Sequence, residues 1–169
     1  RYSDKMYNNM MSLYTFGAMN NADVLTDYYT RRHTSQYRLH FASLADDYLM
    51  KVDQENQMRD NKKMNIKLLR QNGQNAQANG LEASLKGVDA KIAGYKKKAA
   101  NLLNRSLEVM PASIVIDYGE PTANGREKYT NGGVSLNSFS DGVLHDYVRM
   151  LYKAGDKKAA NYEKKKALE

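Results

Sequence analysis

Apolar residues recur along this chain at helical spacing. Leu81, Leu85, Val88, Ile92, Tyr95, Ala99 and Leu102 alternate steps of four and three without a break. A 4-3 seam of this kind runs along one side of an α-helix and is what a coiled-coil partner packs against. Upstream, Tyr37, Phe41, Leu44, Ala45 and Tyr48 stand at i, i+4, i+7, i+8 and i+11. They form one face of a second amphipathic helix, expected from about Asp27. Between the two, residues 53–79 are rich in Asn, Gln, Lys and Asp, with Met58, Met64, Ile66, Leu68 and Leu69 scattered among them. That composition predicts a helix with a thin apolar stripe. Asn72-Gly73 and Asn79-Gly80 each offer a turn, so the seam helix is expected to fold back on its predecessor as an antiparallel hairpin inserted over residues 52–94. Gly87 and Gly94 inside it cost about 1 kcal/mol each relative to Ala. The hairpin is therefore expected to be weak unless those glycines admit another backbone. Glycine recurs at 73, 80, 87 and 94, a period of seven for which the sequence supplies no reason.

Shorter elements flank this pair. Ser3 is a candidate cap for a first helix, with Asp4 well placed against its N-terminal dipole. Met6, Met10, Leu13 and Tyr14 follow at helical spacing until Gly17, and residues 18–26 read as a loop with Asn20-Asn21 as its turn signal. Leu103 and Leu107 extend the seam helix to Pro111. Residues 111–138 form a long loop in which Ile114, Ile116 and Tyr118 alternate and Asn124-Gly125 is a hairpin-type turn, the pattern of a small β-ribbon. Ser140 or Asp141 then caps a helix bearing Leu144, Tyr147, Val148 and Leu151. Gly155 ends it as the first residue past the helix, and Asp156 starts a last helix with Ala159, Ala160 and Tyr162 on its face. The fold class expected is all-α, one helical domain over 1–169, built from helical hairpins.

Composition narrows the chemistry. The chain has 169 residues and no cysteine, which removes disulfides, thiolate catalysis and thiolate zinc sites. No apolar run approaches the roughly 20 residues needed to span a bilayer, and no signal peptide is present. Because it opens at Arg1 without Met, the chain reads as a piece of a longer protein. The net charge of +7 is uneven. Residues 1–50 balance five basic against five acidic side chains, whereas residues 51–169 hold 21 Lys/Arg against 14 Asp/Glu. Lys96, Lys97, Lys98 and the late run Lys157, Lys158, Lys164, Lys165 and Lys166 supply much of the excess. On helices such lysines form a solvated face before they form a binding site for nucleic acid or anionic lipid.

Two segments resemble each other in outline. Phe41-Ala42-Ser43-Leu44-Ala45 leads, past the polar stretch, to Ala99, Leu103, Leu107 and Pro111; Val148, Leu151 and Tyr152 lead through Ala154-Gly155-Asp156 to Ala159. Small residues at a helix crossing and a proline closing the second helix are similar to the tetratricopeptide repeat, where alanine lets two backbones approach. A closer resemblance rests on Tyr14-Thr15-Phe16-Gly17, Met19-Asn20-Asn21, and Thr30-Arg31-Arg32 followed by Tyr37-Arg38. These, with Leu102 to Pro111 and Tyr152 to Ala160, resemble the C-terminal soluble region of a Bacteroidetes family of multi-spanning membrane proteins (domain of unknown function 2723). The N-terminal part of that family is similar to protein O-mannosyltransferases. The likeness covers both ends of the chain and departs at 52–94 and 119–135, where the family is shorter. It implies a domain tethered to the inner membrane on the periplasmic face and continuous with a spanning region. The family's catalytic residues lie in the membrane half, and no position here matches them.

Candidate reactive groups do not converge. His33 and His40 share a helix face about 10 Å apart along the axis, too far to hold one metal ion. His145 and Asp146 are adjacent and point apart, as do Asp46 and Asp47, which therefore cannot straddle a bond as glycosidase carboxylates do. No phosphate-binding loop, nucleophile elbow or metalloprotease helix is present. Asn104-Arg105-Ser106 fits a glycosylation sequon but falls within a predicted helix. The most suggestive stretch is Tyr28-Tyr29-Thr30-Arg31-Arg32 with Tyr37-Arg38. Interleaved Tyr and Arg can stack rings and pair phosphates, or else pack a helix interface and pair with Asp23 and Asp27. The partner-binding candidates are Tyr29, Arg31, Arg32, Tyr37 and Arg38. The nine Met residues read as core filler.

The expected role is non-catalytic, with no cofactor and no metal: an accessory domain of a membrane glycosyltransferase-like protein that docks a protein partner or acceptor polypeptide. The alternatives are homodimerisation through the 52–94 hairpin, and binding of nucleic acid or anionic lipid by the lysine runs. An enzyme in its own right is the remaining class.

Overall fold

A computed structural model describes residues 2–21, 28–111 and 146–168, with the backbone alone for 28–32, Ser35 and 163–168. The described residues are mostly helical and contain no strand, as expected for an all-α fold. Two long helices dominate: α2, Tyr28–Gln71, and α3, Asn75–Val109. Before them come α1, Ser3–Asn8, and a π-helical turn, Asn9–Leu13. After them come α4, residues 146–154, and α5, Lys157–Leu168. The expected β-ribbon, the Ser140 or Asp141 cap, and His145 lie outside the described residues.

α2 and α3 form one antiparallel hairpin, and its turn falls at Asn72-Gly73 rather than Asn79-Gly80. Gly73 adopts φ +76°, which costs glycine little. Its N–H reaches the Arg70 carbonyl at 3.2 Å, and the Gln74 N–H reaches Leu69 at 2.9 Å. This pair of bonds is a Schellman motif, satisfying carbonyls that the helix end leaves open. The expected Gly155 stop uses the same device, with φ +90° and bonds to Tyr152 and Leu151. Asp156 then caps α5 through its carboxylate, 3.1 Å from the Ala159 N–H.

Both long helices run unbroken through positions 52 and 94. The 52–94 stretch is thus the outer half of the hairpin that also builds the base, and projects about 30 Å beyond it at 1.5 Å per residue. Its α3 side is the expected seam: Val88 and Ile92 are buried and Leu81 and Leu85 partly so, Tyr95, Ala99 and Leu102 carry the line into the base, and Ala78 extends it toward the turn. The α2 side explains the thin stripe. Positions 52, 55, 59, 62, 66 and 69 alternate steps of three and four, but Glu55, Arg59 and Lys62 occupy the second to fourth of them. Of the scattered apolar residues, Ile66 is buried and Leu69 partly so, while Met58, Met64 and Leu68 are exposed. Gly80, Gly87 and Gly94 have nothing within 4 Å of an added Cβ, so among the described residues no second backbone approaches them.

At the base, both sides of the hairpin are covered. α1 packs on the side bearing Leu44, Tyr48, Lys98 and Asn101, where Tyr7 meets Tyr48 edge-on at 6.0 Å and accepts a hydrogen bond from the Asn101 amide at 3.2 Å. α4 lies on the opposite side, held by Tyr147 and by a Lys153–Asp53 ion pair at 2.6 Å. Phe41, Ala45, Tyr48, Leu49, Ala99, Leu102, Leu103, Met110 and Leu151 form the core. Two details of α1 differ from expectation. Tyr2 holds the cap position with no side-chain cap, and Ser3 is buried in the first turn. The π turn, closed by Tyr14 N–H to Asn9 O at 2.9 Å, adds a residue to the winding. That extra residue rotates Leu13 and Tyr14 off the Met10 face, leaving them 69% and 42% exposed.

Candidate functional site

Of the five candidate residues, Arg38 and Tyr37 have described side chains, and the helix phase separates them. Arg38 is 2% exposed and turns into the base, where its guanidinium donates to the Met110 carbonyl. There it closes the C-terminal end of α3. Around it, Tyr147 donates to the Arg38 carbonyl at 2.9 Å and sits 2.7 Å from the Ser106 hydroxyl. Burial, opposed by Ser106 and the Arg38 charge, pushes the Tyr147 phenol up to about 12. Tyr37 is 45% exposed and meets Phe16 edge-on at 6.1 Å. Tyr29, Arg31 and Arg32 lie on the first turns of α2, their side chains outside the described set.

A polar cluster that the sequence does not announce ties α1 to the hairpin. Asp4 accepts from Tyr48 and from Lys98, both at 2.7 Å. Lys98 lies over the rings of Tyr7 and Tyr48, at 5.6 and 5.3 Å, while Lys51 lies over Tyr48 and Tyr95, at 4.8 and 5.6 Å. The Lys98 hydrogen bond, then that of Tyr48, holds the Asp4 carboxyl below its ordinary value. Burial, then Asp4, pushes the Tyr48 phenol well up. Lys98 is thereby drawn from a basic run into a structural cation–π contact. Its partners stand more than forty residues away in sequence, so no local pattern marks it.

Next to this cluster an open groove of about 270 Å³ is lined by Tyr2, Ser3, Met6, His40, Ser43, Leu44 and Asp47. His40, Ser43 and Asp47 reach it because i, i+3 and i+7 share a helix face, yet no hydrogen bond joins His40 to Ser43. His33 is exposed, and Asn104 of the sequon donates to Asp156 at 2.9 Å. No group of three His, Asp or Glu with metal-holding geometry occurs among the described residues, and none of the described helices is long and apolar enough to cross a membrane.

The arm is the other candidate surface. Beyond Val52 none of the other described helices forms a second layer on the hairpin, and among the described residues each helix buries only its seam. Mid-seam, Glu55 is 7% exposed, with Oε1 3.5 Å from Lys91 Nζ and Oε2 unpartnered. Arg59 pairs with Asp89 and Asp60 at 3.6 Å each. Charged groups at seam positions cost stability relative to apolar ones, and the cross-helix pairs Glu55–Lys91 and Arg59–Asp89 form in this alignment of the two helices. Everything outside the seam is open along the arm, including Met58, Met64 and Leu68. Comparisons with protein-family models, curated proteins and solved structures gave no match, so these surfaces are read on their own chemistry.

Proposed function

We propose that this domain is a non-catalytic interaction module, in which a two-layered base presents a helical arm to a protein partner or acceptor polypeptide. The observation that carries the reading is the change in burial along one continuous hairpin. Among the described residues, α2 and α3 are covered on both sides at the base, while beyond Val52 they bury the seam alone and leave Met58, Met64 and Leu68 exposed. A protruding two-helix arm with a partly charged seam contributes little to its own stability, so its length is accounted for by what it contacts. In this reading the base is tetratricopeptide-like, with α2–α3 and α4–α5 as its helix pairs. Ala45, Ala99, Ala154 and Ala160, all buried, support it as the small residues at the crossings. The parent is a membrane-anchored glycosyltransferase-like protein with this domain at the periplasmic face, a proposal supported by the motif likeness of residues 14–49. Reading the gene upstream of Arg1 tests the parentage: a run of hydrophobic spans supports it, and an immediate cytosolic start removes it.

The rival reading, homodimerisation through the hairpin seam, meets a physical objection: α2 of the same chain already fills that seam. Light scattering on the domain and on a shortened arm decides between them. Removing 58–71 and 75–88 takes two heptads from each helix and keeps phase and turn. A dimer that becomes a monomer favours the rival; a monomer throughout favours the accessory-arm reading.

A further inference from the structure

Charge is segregated along the arm. Beyond Asp60 on α2 and before Asp89 on α3, residues 61–88 hold Lys62, Lys63, Lys67, Arg70 and Lys86 against one carboxylate, Glu82. Arg70 already engages Glu82 at 2.6 Å, which leaves four lysines without a carboxylate partner among the described residues. Lys62 is spoken for only by the neutral Ser84 hydroxyl, 3.1 Å away. Below this zone the balance reverses, since Asp53, Glu55, Asp60 and Asp89 face Lys51, Arg59 and Lys91 over 51–60 and 89–94. The basic end is also where apolar side chains are bare. Met64 is 64% exposed and Leu68 51%. Lys63 with Lys67, and Met64 with Leu68, are i, i+4 pairs on adjoining rows of α2. The last turns of α2 therefore show solvent a mixed patch of lysines and long apolar side chains.

We propose that the outer end of the arm, through Lys63, Met64, Lys67 and Leu68 with Lys62 and Lys86 beside them, docks on an anionic lipid bilayer. Three considerations single out that occupant. A stable protein interface takes about 800 Å² and some 20–30 residues per partner, whereas this patch comprises six side chains. A bilayer has no such threshold: each Lys near an anionic surface gains about 1 kcal/mol, and Leu68 and Met64 gain by entering the acyl boundary while neighbouring lysines snorkel to the headgroups. Nucleic acid would use the lysines but leave Met64 and Leu68 without a role, and the patch has no ring on which a base can stack. The inference goes beyond the accessory-arm reading and does not depend on it, because a protein partner on the base or the arm flank leaves the lipid contact unaffected.

Flotation of the full chain with phosphatidylglycerol-containing vesicles, against phosphatidylcholine alone, tests the proposal. Binding is expected to the anionic vesicles and to fall as salt rises. Lys63→Glu/Lys67→Glu/Lys86→Glu is expected to lower it about a hundredfold, at roughly 1 kcal/mol per lysine. Met64→Ser/Leu68→Ser weakens it as well, and Lys157→Glu/Lys158→Glu on the base leaves it unchanged. All of these positions are exposed, so helicity by circular dichroism is expected to hold. No binding to anionic vesicles, or binding that survives both arm variants, overturns the proposal. So does duplex DNA or RNA competing fully for the same lysines while Met64→Ser/Leu68→Ser has no effect.

Discussion

Tyr147 donates its hydroxyl proton to the main-chain carbonyl of Arg38, 2.9 Å away and more than a hundred residues earlier in the chain. Ser106 of α3 donates to the same hydroxyl oxygen at 2.7 Å, so one phenol joins α2, α3 and α4 in the core. Tyr147→Phe keeps the ring and removes both bonds. It is expected to destabilise by about 1–3 kcal/mol, since it takes away the acceptor of the buried Ser106 hydroxyl and a second donor from the Arg38 carbonyl, which keeps its place in the α2 helix. Urea denaturation followed at 222 nm measures it; a change below a few tenths would show that the network is not holding α4.

The same residue sets an alkaline limit. Both Tyr147, at about 12, and Tyr48 titrate higher in the folded chain than the ordinary tyrosine value near 10. The folded state therefore holds protons that the unfolded chain releases. Stability from these phenols is complete below about pH 10 and declines as pH rises toward the folded values. Equilibrium unfolding at a series of alkaline pH values should show that decline, and Tyr147→Phe should flatten part of it.

Arg38→Met tests the inward guanidinium. The substitution fills much of the space but strips the Met110 carbonyl of its donor. A loss of about 1–3 kcal/mol is expected, with Arg38→Lys only partly restoring it, because one ammonium cannot reproduce a planar fork. If Arg38→Met is neutral in chemical denaturation while ligand capture is lost, the residue belongs to a binding surface after all.

The helical glycines make an opposite prediction. Gly80, Gly87 and Gly94 stand in regular helix with open space where a Cβ would go. Each Gly→Ala is expected to stabilise by about 0.5–1 kcal/mol, while Gly73→Ala at φ +76° destabilises by about 1 kcal/mol. Thermal melts of the triple variant and of Gly73→Ala read both signs. A triple variant that melts lower than the parent would mean the glycine row is covered by something.

Glu55 gives the last test. Its unpartnered Oε2 sits in a seam that is otherwise apolar on the α3 side. Glu55→Leu is expected to stabilise the arm by about 1 kcal/mol, since it removes the desolvation cost of a buried carboxylate while Lys91, 61% exposed, stays hydrated without its partner. Hydrogen exchange of α2 amides near position 55 should slow. Faster exchange would identify the Glu55–Lys91 pair as a net stabiliser.

Much of this architecture is legible in the residue order, because helical periodicity and end signals are local. The Leu81–Leu102 seam, the Asn72-Gly73 turn and the Gly155 stop each depend on a few neighbouring residues, and each is observed. The Tyr37 to Tyr48 stripe is legible for Phe41, Leu44, Ala45 and Tyr48. It misleads at Tyr37 and hides Arg38, because a charged residue at a buried phase is indistinguishable from a surface one until its distant acceptor, the Met110 carbonyl, is in place. The same holds for Glu55 and Arg59: polar residues on a seam look like a gap in the pattern, and only the facing helix reveals that they lie on it.

Spacing along the chain, then, determined by itself that the long elements are helical, narrowed their turn to two Asn-Gly pairs, and marked which edge of α3 meets a partner. Tertiary structure alone decided which other faces gain a second layer, that Lys98 serves a tyrosine cluster, and that the end of the arm is left basic and bare. The reason is that a helix repeats every 3.6 residues whatever surrounds it. Burial of its remaining sides and the pairing of its charges depend instead on segments that are remote in sequence and adjacent only once folded.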